Sequence, residues 1–232
     1  MIPSSTRRPL LALAGLALAV VVGACTAGGG ATPGEASAPP SSVVAPASQA
    51  APGECPTAQP DALPAGETRI VTIETSLGAI AITLEADLSP IAVGNFVALA
   101  GCGYYDGVVF HRVVPGFVIQ GGDGQNGRKA TLDPNLVGTG GPGYEIQDEP
   151  VTAVYSRATV AMARTSAPNS VGSQFFIVLD DAARGALESA NTYQIIGTVT
   201  SGMETADAIA AAADAEIPSD PIEMTDVSVT QP

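Results

Sequence analysis

The sequence predicts a mostly β domain: a closed eight-stranded antiparallel β-barrel capped by two α-helices. Three observations carry that expectation. Between about residues 70 and 230, eight short runs are rich in β-branched and aromatic residues, each of strand length. Gly-rich connections, rather than regularly alternating helices, separate most of them, which disfavours a parallel α/β sheet. Only two stretches place apolar residues at helical spacing.

Residues 70–75 and 79–85 flank Ser76-Leu77-Gly78 and read as a hairpin. Ser89-Pro90 offers an N-cap and a proline at the first helical position; Val93, Phe96, Val97 and Ala100 follow on one face, and Gly101 is placed to end the helix. Strands are expected at 108–113, 117–120, 159–164, 174–179 and 193–199. A second, Ala-rich helix over 203–213 sets Met203, Ala206, Ile209, Ala210 and Ala213 on one side, and a last strand covers 222–230. The Gly-rich stretch 121–143 is a long surface loop, a type of segment that tends to carry function. No helix follows its glycines directly, so it is not a phosphate cradle.

Upstream, the composition changes. Arg7 and Arg8 precede an apolar run over 10–22 that ends at Gly23-Ala24-Cys25. A basic start, a short apolar stretch and small residues at the cut describe a secretory leader. The run is shorter than the roughly 20 apolar residues a membrane-spanning helix needs. Val22-Gly23-Ala24-Cys25 resembles the bacterial lipobox, whose Cys becomes the lipidated first residue of the mature chain. The expected organisation is a lipoprotein signal peptide over 1–24, the lipidated Cys25 with a disordered Ala/Pro/Ser/Gly-rich tether over 25–66, and a folded domain over 67–232. The expected location is the extracytoplasmic face of the cell membrane. Cys55 and Cys102 remain after lipidation; in an exported chain they suggest a bridge, the alternative being two free or buried thiols.

Charge narrows the function classes. Acidic residues number 23 against 9 basic ones, for a formal net charge of −14. That balance excludes nucleic acid as the expected partner and leaves the lipid as the only membrane attachment. His111 is the single histidine, so a multi-His metal site cannot be built. No G-x-S-x-G elbow is present, which removes a serine hydrolase of that type.

The informative motifs are Phe110-His111-Arg112-Val113-Val114-Pro115-Gly116-Phe117-Val118-Ile119-Gln120-Gly121-Gly122-Asp123, then Met162-Ala163-Arg164 and Gly172-Ser173-Gln174-Phe175-Phe176-Ile177. Together, and in this order, they resemble the cyclophilin family of peptidyl-prolyl cis/trans isomerases. The resemblance implies a cyclophilin-like domain that accelerates X–Pro rotation without metal or cofactor. Its expected partners are proline-containing peptides and unfolded exported proteins, and it is expected to be a monomer. It also implies the roles of single residues. Arg112 would donate to the prolyl nitrogen, with Gln120 and Gln174 bonding the peptide backbone or orienting Arg112. Phe117, Val118, Phe176 and Leu187 would wall the proline pocket, Ala163 and Arg164 would lie beside the residues preceding proline, and Tyr193 would close the rim. His111, adjacent to Arg112 on a strand, falls on the other face and reads as structural.

The chemistry suits a chain so poor in His and Lys. The X–Pro bond turns through a barrier of about 18–20 kcal/mol set by amide resonance, and a gain of about 4–7 kcal/mol suffices for enzymatic rates. Neither nucleophile nor tuned acid is required. Some positions depart from the family pattern: Val118 stands where many members carry Met, Arg164 and Tyr193 replace the Asn and His of the eukaryotic form, and residues 165–171 form a segment one residue longer. With no Trp in the chain, cyclosporin binding is expected to be weak. The alternative to an enzyme is a non-catalytic peptide-binding or chaperone module using the same surface.

Overall fold

The computed structural model describes residues 54–232; the predicted leader, Cys25 and the tether as far as residue 53 lie outside the described residues. Eight strands form one antiparallel sheet: β1 (Thr68–Thr75), β2 (Gly78–Glu85), β3 (Phe110–Val114), β4 (Val118–Gly121), β5 (Thr159–Met162), β6 (Phe175–Val178), β7 (Ile195–Ser201) and β8 (Met224–Thr230). Their order across the sheet is β3-β4-β6-β5-β7-β2-β1-β8. The sheet curls into a half-barrel, which corrects the closed barrel expected from sequence. β8 pairs along one edge with β1, while toward β3 the seam is reduced to the Val109–Glu223 bridge and a few backbone bonds around it, such as Phe110 N–H to the Ile222 carbonyl at 2.9 Å.

Three helices accompany the sheet rather than two: α1 (Pro90–Gly101), α2 (Arg184–Ala190) and α3 (Met203–Ala212). α1 packs over β8, β1, β2 and β7, and α3 spans from β2 to β3 and β4, across the hollow of the curl. α2 escaped the sequence reading because its seven residues offer one buried apolar side chain, Leu187, too few to show a period. It is started instead by a side chain: Asp180 accepts from the Ala182 N–H at 2.9 Å in the turn that leads into it.

α1 also differs at both ends from its sequence pattern. Ser89 occupies the N-cap, but its hydroxyl is buried and makes no cap bond. The free N–H groups of Ile91 and Ala92 donate instead to the two carboxylate oxygens of Glu149, at 2.8 and 2.9 Å. An anion at a helix N-terminus satisfies the orphan donors and meets the positive end of the macrodipole. At the other end Gly101 stays helical, and the left-handed residue that turns the chain is Gly103, with φ of 76°.

Residues 54–66, assigned to the tether by composition, lie against α1. The Leu63 N–H donates to the Pro90 carbonyl at 2.9 Å, and the Leu63 side chain is buried. Gly94 permits this approach, because a Cβ there would sit 2.3 Å from the Asp61 carbonyl oxygen. Cys55 and Cys102 form a disulfide across a Cα–Cα distance of 5.2 Å, joining this segment to the end of α1.

The bridge closes a loop of 47 residues, for which chain entropy gives about 4 kcal/mol. Replacing both cysteines by serine is therefore expected to lower the unfolding free energy by about 2–4 kcal/mol, read from denaturant midpoints of the oxidised protein and the variant. Equal midpoints would show that the packing of Leu63 holds the segment unaided.

Candidate active site

The site follows from strand alternation. Successive side chains of a strand point to opposite faces, and here both faces of β4, β5, β6 and the start of β7 are buried. Ile119, Val160, Met162, Phe175, Ile177 and Ile196 enter the main core inside the curl. Their neighbours Val118, Ala161, Phe176, Val178 and Ile195 form a second, outer cluster with Tyr155, Ala183 and Leu187. The upper surface of that outer cluster is the floor of a cleft of about 120 Å³, lined by Arg112, Phe117, Val118, Gln120, Ala163, Arg164, Phe176, Leu187 and Tyr193.

Register aligns the polar groups with this floor. Arg112 pairs with Gln120, Gln120 with Phe176 and Phe176 with Ala161, one row across four strands. An irregularity between Phe110 and Arg112 makes the row possible. Phe110 and Val113 both reach the main core although an odd number of positions separates them, which an unbulged strand forbids. The extra residue is His111, buried at 4% exposure, and Arg112 is turned out to the cleft.

The polar edge is held from behind. The Gln120 side-chain amide donates to the Gln174 side-chain oxygen at 3.0 Å, and Gln174 donates to the carbonyls of Gly138 and Gly140, both at 2.9 Å. Those glycines are fixed by Asp123, whose fully buried carboxylate accepts from the N–H groups of Gly138 (2.8 Å), Gly140 (3.0 Å), Asn126 (2.8 Å) and Gln125 (3.1 Å). The Gly-rich loop is thus a knot around one buried anion. On the far rim the Tyr193 ring meets Phe176 edge-on at 5.4 Å, and Tyr155, its hydroxyl pushed up to about 12 by burial, donates to the Tyr193 carbonyl at 2.8 Å. Arg164 spends its guanidinium on Asp148 at 2.9 Å and on the Ala167 carbonyl at 2.6 Å, bracing the longer segment 165–171.

Nine of the ten cleft residues expected from sequence line one cavity. Gln174 stands behind the wall rather than in it. The supports Asp123, Asp148 and Tyr155 carry no periodic signal in the sequence: the partners of Asp123 are backbone N–H groups, and those of Asp148 and Tyr155 lie 16 or more residues away. Only the Gly-Gly-Asp-Gly run around Asp123 hinted at a fixed turn.

Residues 70–229 match the family described as cyclophilin type peptidyl-prolyl cis-trans isomerase/CLD. The chain belongs to the cyclophilin family. A probable peptidyl-prolyl cis-trans isomerase of Brucella suis is 40% identical over 152 residues, covering 63% of this chain and 74% of the relative. Peptidyl-prolyl cis-trans isomerase A of Dickeya dadantii is 37% identical over 157 residues, 66% of this chain and 77% of the relative. Among solved structures, a Cryptosporidium parvum cyclophilin type isomerase superposes with a TM-score of 0.58 at 30% identity, covering 71% of this chain and 99% of that one. The same parasite protein in the presence of the dipeptide Ala-Pro gives 0.57 at 31% identity, with 70% and 99% covered. This cyclophilin is thus a peptidyl-prolyl cis-trans isomerase, and proline-containing peptides are its substrates.

His111 lies under the Gly-rich loop of the cyclophilin cleft, with neither ring nitrogen in a hydrogen bond to protein. Burial, helped by the neighbouring Arg112 charge, holds its pKa below the ordinary 6.5, outweighing the opposite pull of the Asp123 carboxylate. The unfolded chain then takes up the proton at higher pH than the folded one, so stability falls as pH drops through that value. The melting temperature is expected to fall between about pH 7 and pH 5, and His111→Gln to show a smaller difference between those two pH values. An identical slope in both proteins would remove His111 as the cause.

Proposed function

We propose that this isomerase acts by desolvation and by a hydrogen bond from Arg112 to the prolyl nitrogen. The observation that carries the reading is the row Arg112–Gln120–Phe176 at the edge of an apolar floor. Phe117, Val118, Phe176 and Leu187 take the pyrrolidine ring out of water. As the amide twists, resonance is lost and the prolyl nitrogen regains its lone pair, which a guanidinium N–H reaches from the rim. The planar ground state offers no such acceptor, so the bond forms selectively in the transition state and lowers the barrier. A water-poor floor strengthens that bond. Gln120, its amide nitrogen tied to Gln174, presents its carbonyl oxygen to the peptide backbone. That the Cryptosporidium parvum cyclophilin type isomerase was solved in the presence of the dipeptide Ala-Pro supports an X–Pro ligand for this cleft.

The test is cis/trans exchange of an Ala-Pro peptide measured by NMR. Arg112→Ala is expected to lose about a hundredfold in kcat/KM, and Arg112→Lys to recover little, because an ammonium lacks the planar fork. Equal rates for wild type and Arg112→Ala would remove Arg112 from the mechanism. Suppression of client aggregation that survives Arg112→Ala, with exchange unaffected, would favour the chaperone reading.

We further propose that the substrates are exported proteins and that Cys25, lipidated, holds the domain at the outer face of the membrane through the Pro-rich tether. The Cys55–Cys102 disulfide supports this reading, since such bonds persist in oxidising compartments. Mass spectrometry of the membrane fraction is expected to find a lipid mass on Cys25, and Cys25→Ser to move the protein to the soluble fraction. An unmodified, soluble wild-type chain would overturn the anchor.

A further inference from the structure

We propose that Glu216 is a positioning residue for catalysis, one that locks the Arg112 guanidinium through its Nε and leaves both terminal nitrogens free for substrate. The inference rests on the reading of Arg112 given above.

Arg112 Nε donates to Glu216 Oε1 at 2.7 Å, and among the described residues this carboxylate is the guanidinium's sole hydrogen-bond partner. Arg112 shares the cleft wall with Gln120 and with the apolar Phe117, Val118 and Phe176, and among the described residues no second hydrogen bond fixes its rotation. A long, flexible side chain loses rotamer freedom when it must meet a reacting atom, and that loss falls on the chemical step unless it has been taken beforehand. A carboxylate on Nε does this without consuming the donors of Nη1 and Nη2.

The loop bearing Glu216 is itself fixed. The Val113 N–H donates to the Glu216 carbonyl at 2.8 Å, so the residue after Arg112 in β3 is bonded to the residue that holds Arg112. Further along, Ser219 N–H and Oγ–H donate to the Asp214 carboxylate at 2.9 and 2.5 Å, and Lys129 pairs with Asp220 and reaches the Pro221 carbonyl at 2.8 Å. The Glu216 side chain is nevertheless 60% exposed and that of Arg112 36%. A pair so open to water adds little to folding stability, which leaves orientation as its consequence. Sequence gave no hint of it: the two residues are 104 positions apart.

The experiment measures kcat and KM for Ala-Pro exchange with the full chain and with Glu216→Ala, Glu216→Gln, Arg112→Ala and the Glu216→Ala/Arg112→Ala double variant. Glu216→Ala is expected to lose about five- to twentyfold in kcat with KM held within about twofold. Glu216→Gln, which keeps the acceptor oxygen, is expected to retain at least about half the wild-type rate. In the Arg112→Ala background Glu216→Ala is expected to cost nothing further. The Arg112 Nε–H resonance is expected to be protected from solvent exchange in wild type and Glu216→Gln and to lose that protection in Glu216→Ala. A kcat in Glu216→Ala at or above wild type, equal losses in both backgrounds, or a Gln variant no better than Ala would each overturn the inference. If Arg112→Ala is crippled while Glu216→Ala is normal, this inference alone fails; if Arg112→Ala is normal, the mechanism above fails with it.

Discussion

Phe175 and Phe176 are adjacent in the chain and lie on opposite sides of one strand, the first in the main core against Phe96, Tyr105 and Phe110, the second in the cleft floor against Tyr193. That division, repeated along β4, β5, β6 and the start of β7, is the constraint on which the rest of the molecule depends. A sheet apolar on one face alone would present its other face to water, with nothing to hold a proline ring. Because the outer face carries Val118, Ala161, Phe176 and Val178 over Leu187 and Tyr155, the floor of the cleft is as firmly packed as a core. The site is the part of a second hydrophobic cluster that the chain leaves uncovered.

Rigidity at the polar edge comes from electrostatics rather than packing. A carboxylate taken out of water is costly unless hydrogen bonds replace its hydration. Asp123 has four backbone donors to replace it, drawn from both ends of the Gly-rich loop. Side chains at Gly138 or Gly140 would disturb the arrangement: Gly138 has φ of 88°, and a Cβ on Gly140 would lie 2.3 Å from the Asp123 carboxylate. The loop's glycines thus serve a fixed structure, and through the Gly138 and Gly140 carbonyls its rigidity passes to Gln174 and then Gln120.

What could be read from sequence divides along the range of the interactions. The β1–β2 hairpin, α1, α3 and the strands announce themselves through period 2, period 3.6, Ser-Pro and Gly, all signals within one element. The cleft side chains were legible because two contiguous motifs carry most of them. Illegible were features whose partners lie far along the chain or leave no periodic trace: the Glu149 cap of α1, 58 residues from Ile91, the packing of residues 54–66 on Gly94, and α2. Closure also belongs here. Eight strands can be counted locally, but whether the free edges of β3 and β8 meet as a full ladder or only at the Val109–Glu223 bridge is set by the curl of the whole sheet, which no single element records. The bulge at His111 left no mark either, although in a regular strand Arg112 and Phe110, two positions apart, would share a face.

Amide rotation asks little of its catalyst, and this sets the economy of the site. The reaction moves no proton and makes no covalent bond, so on the mechanism proposed above the stabilisation of about 4–7 kcal/mol comes from one donor and a dry surface. Each must be in place before the substrate arrives, because a donor that reorients during the twist returns its gain as entropy. The floor meets that condition through the core beneath it. Arg112 cannot, since a guanidinium buried enough to be held by packing would no longer reach a peptide in the cleft. It stands half exposed at the rim, and its order has to come from a partner on neighbouring backbone, which is the place Glu216 occupies.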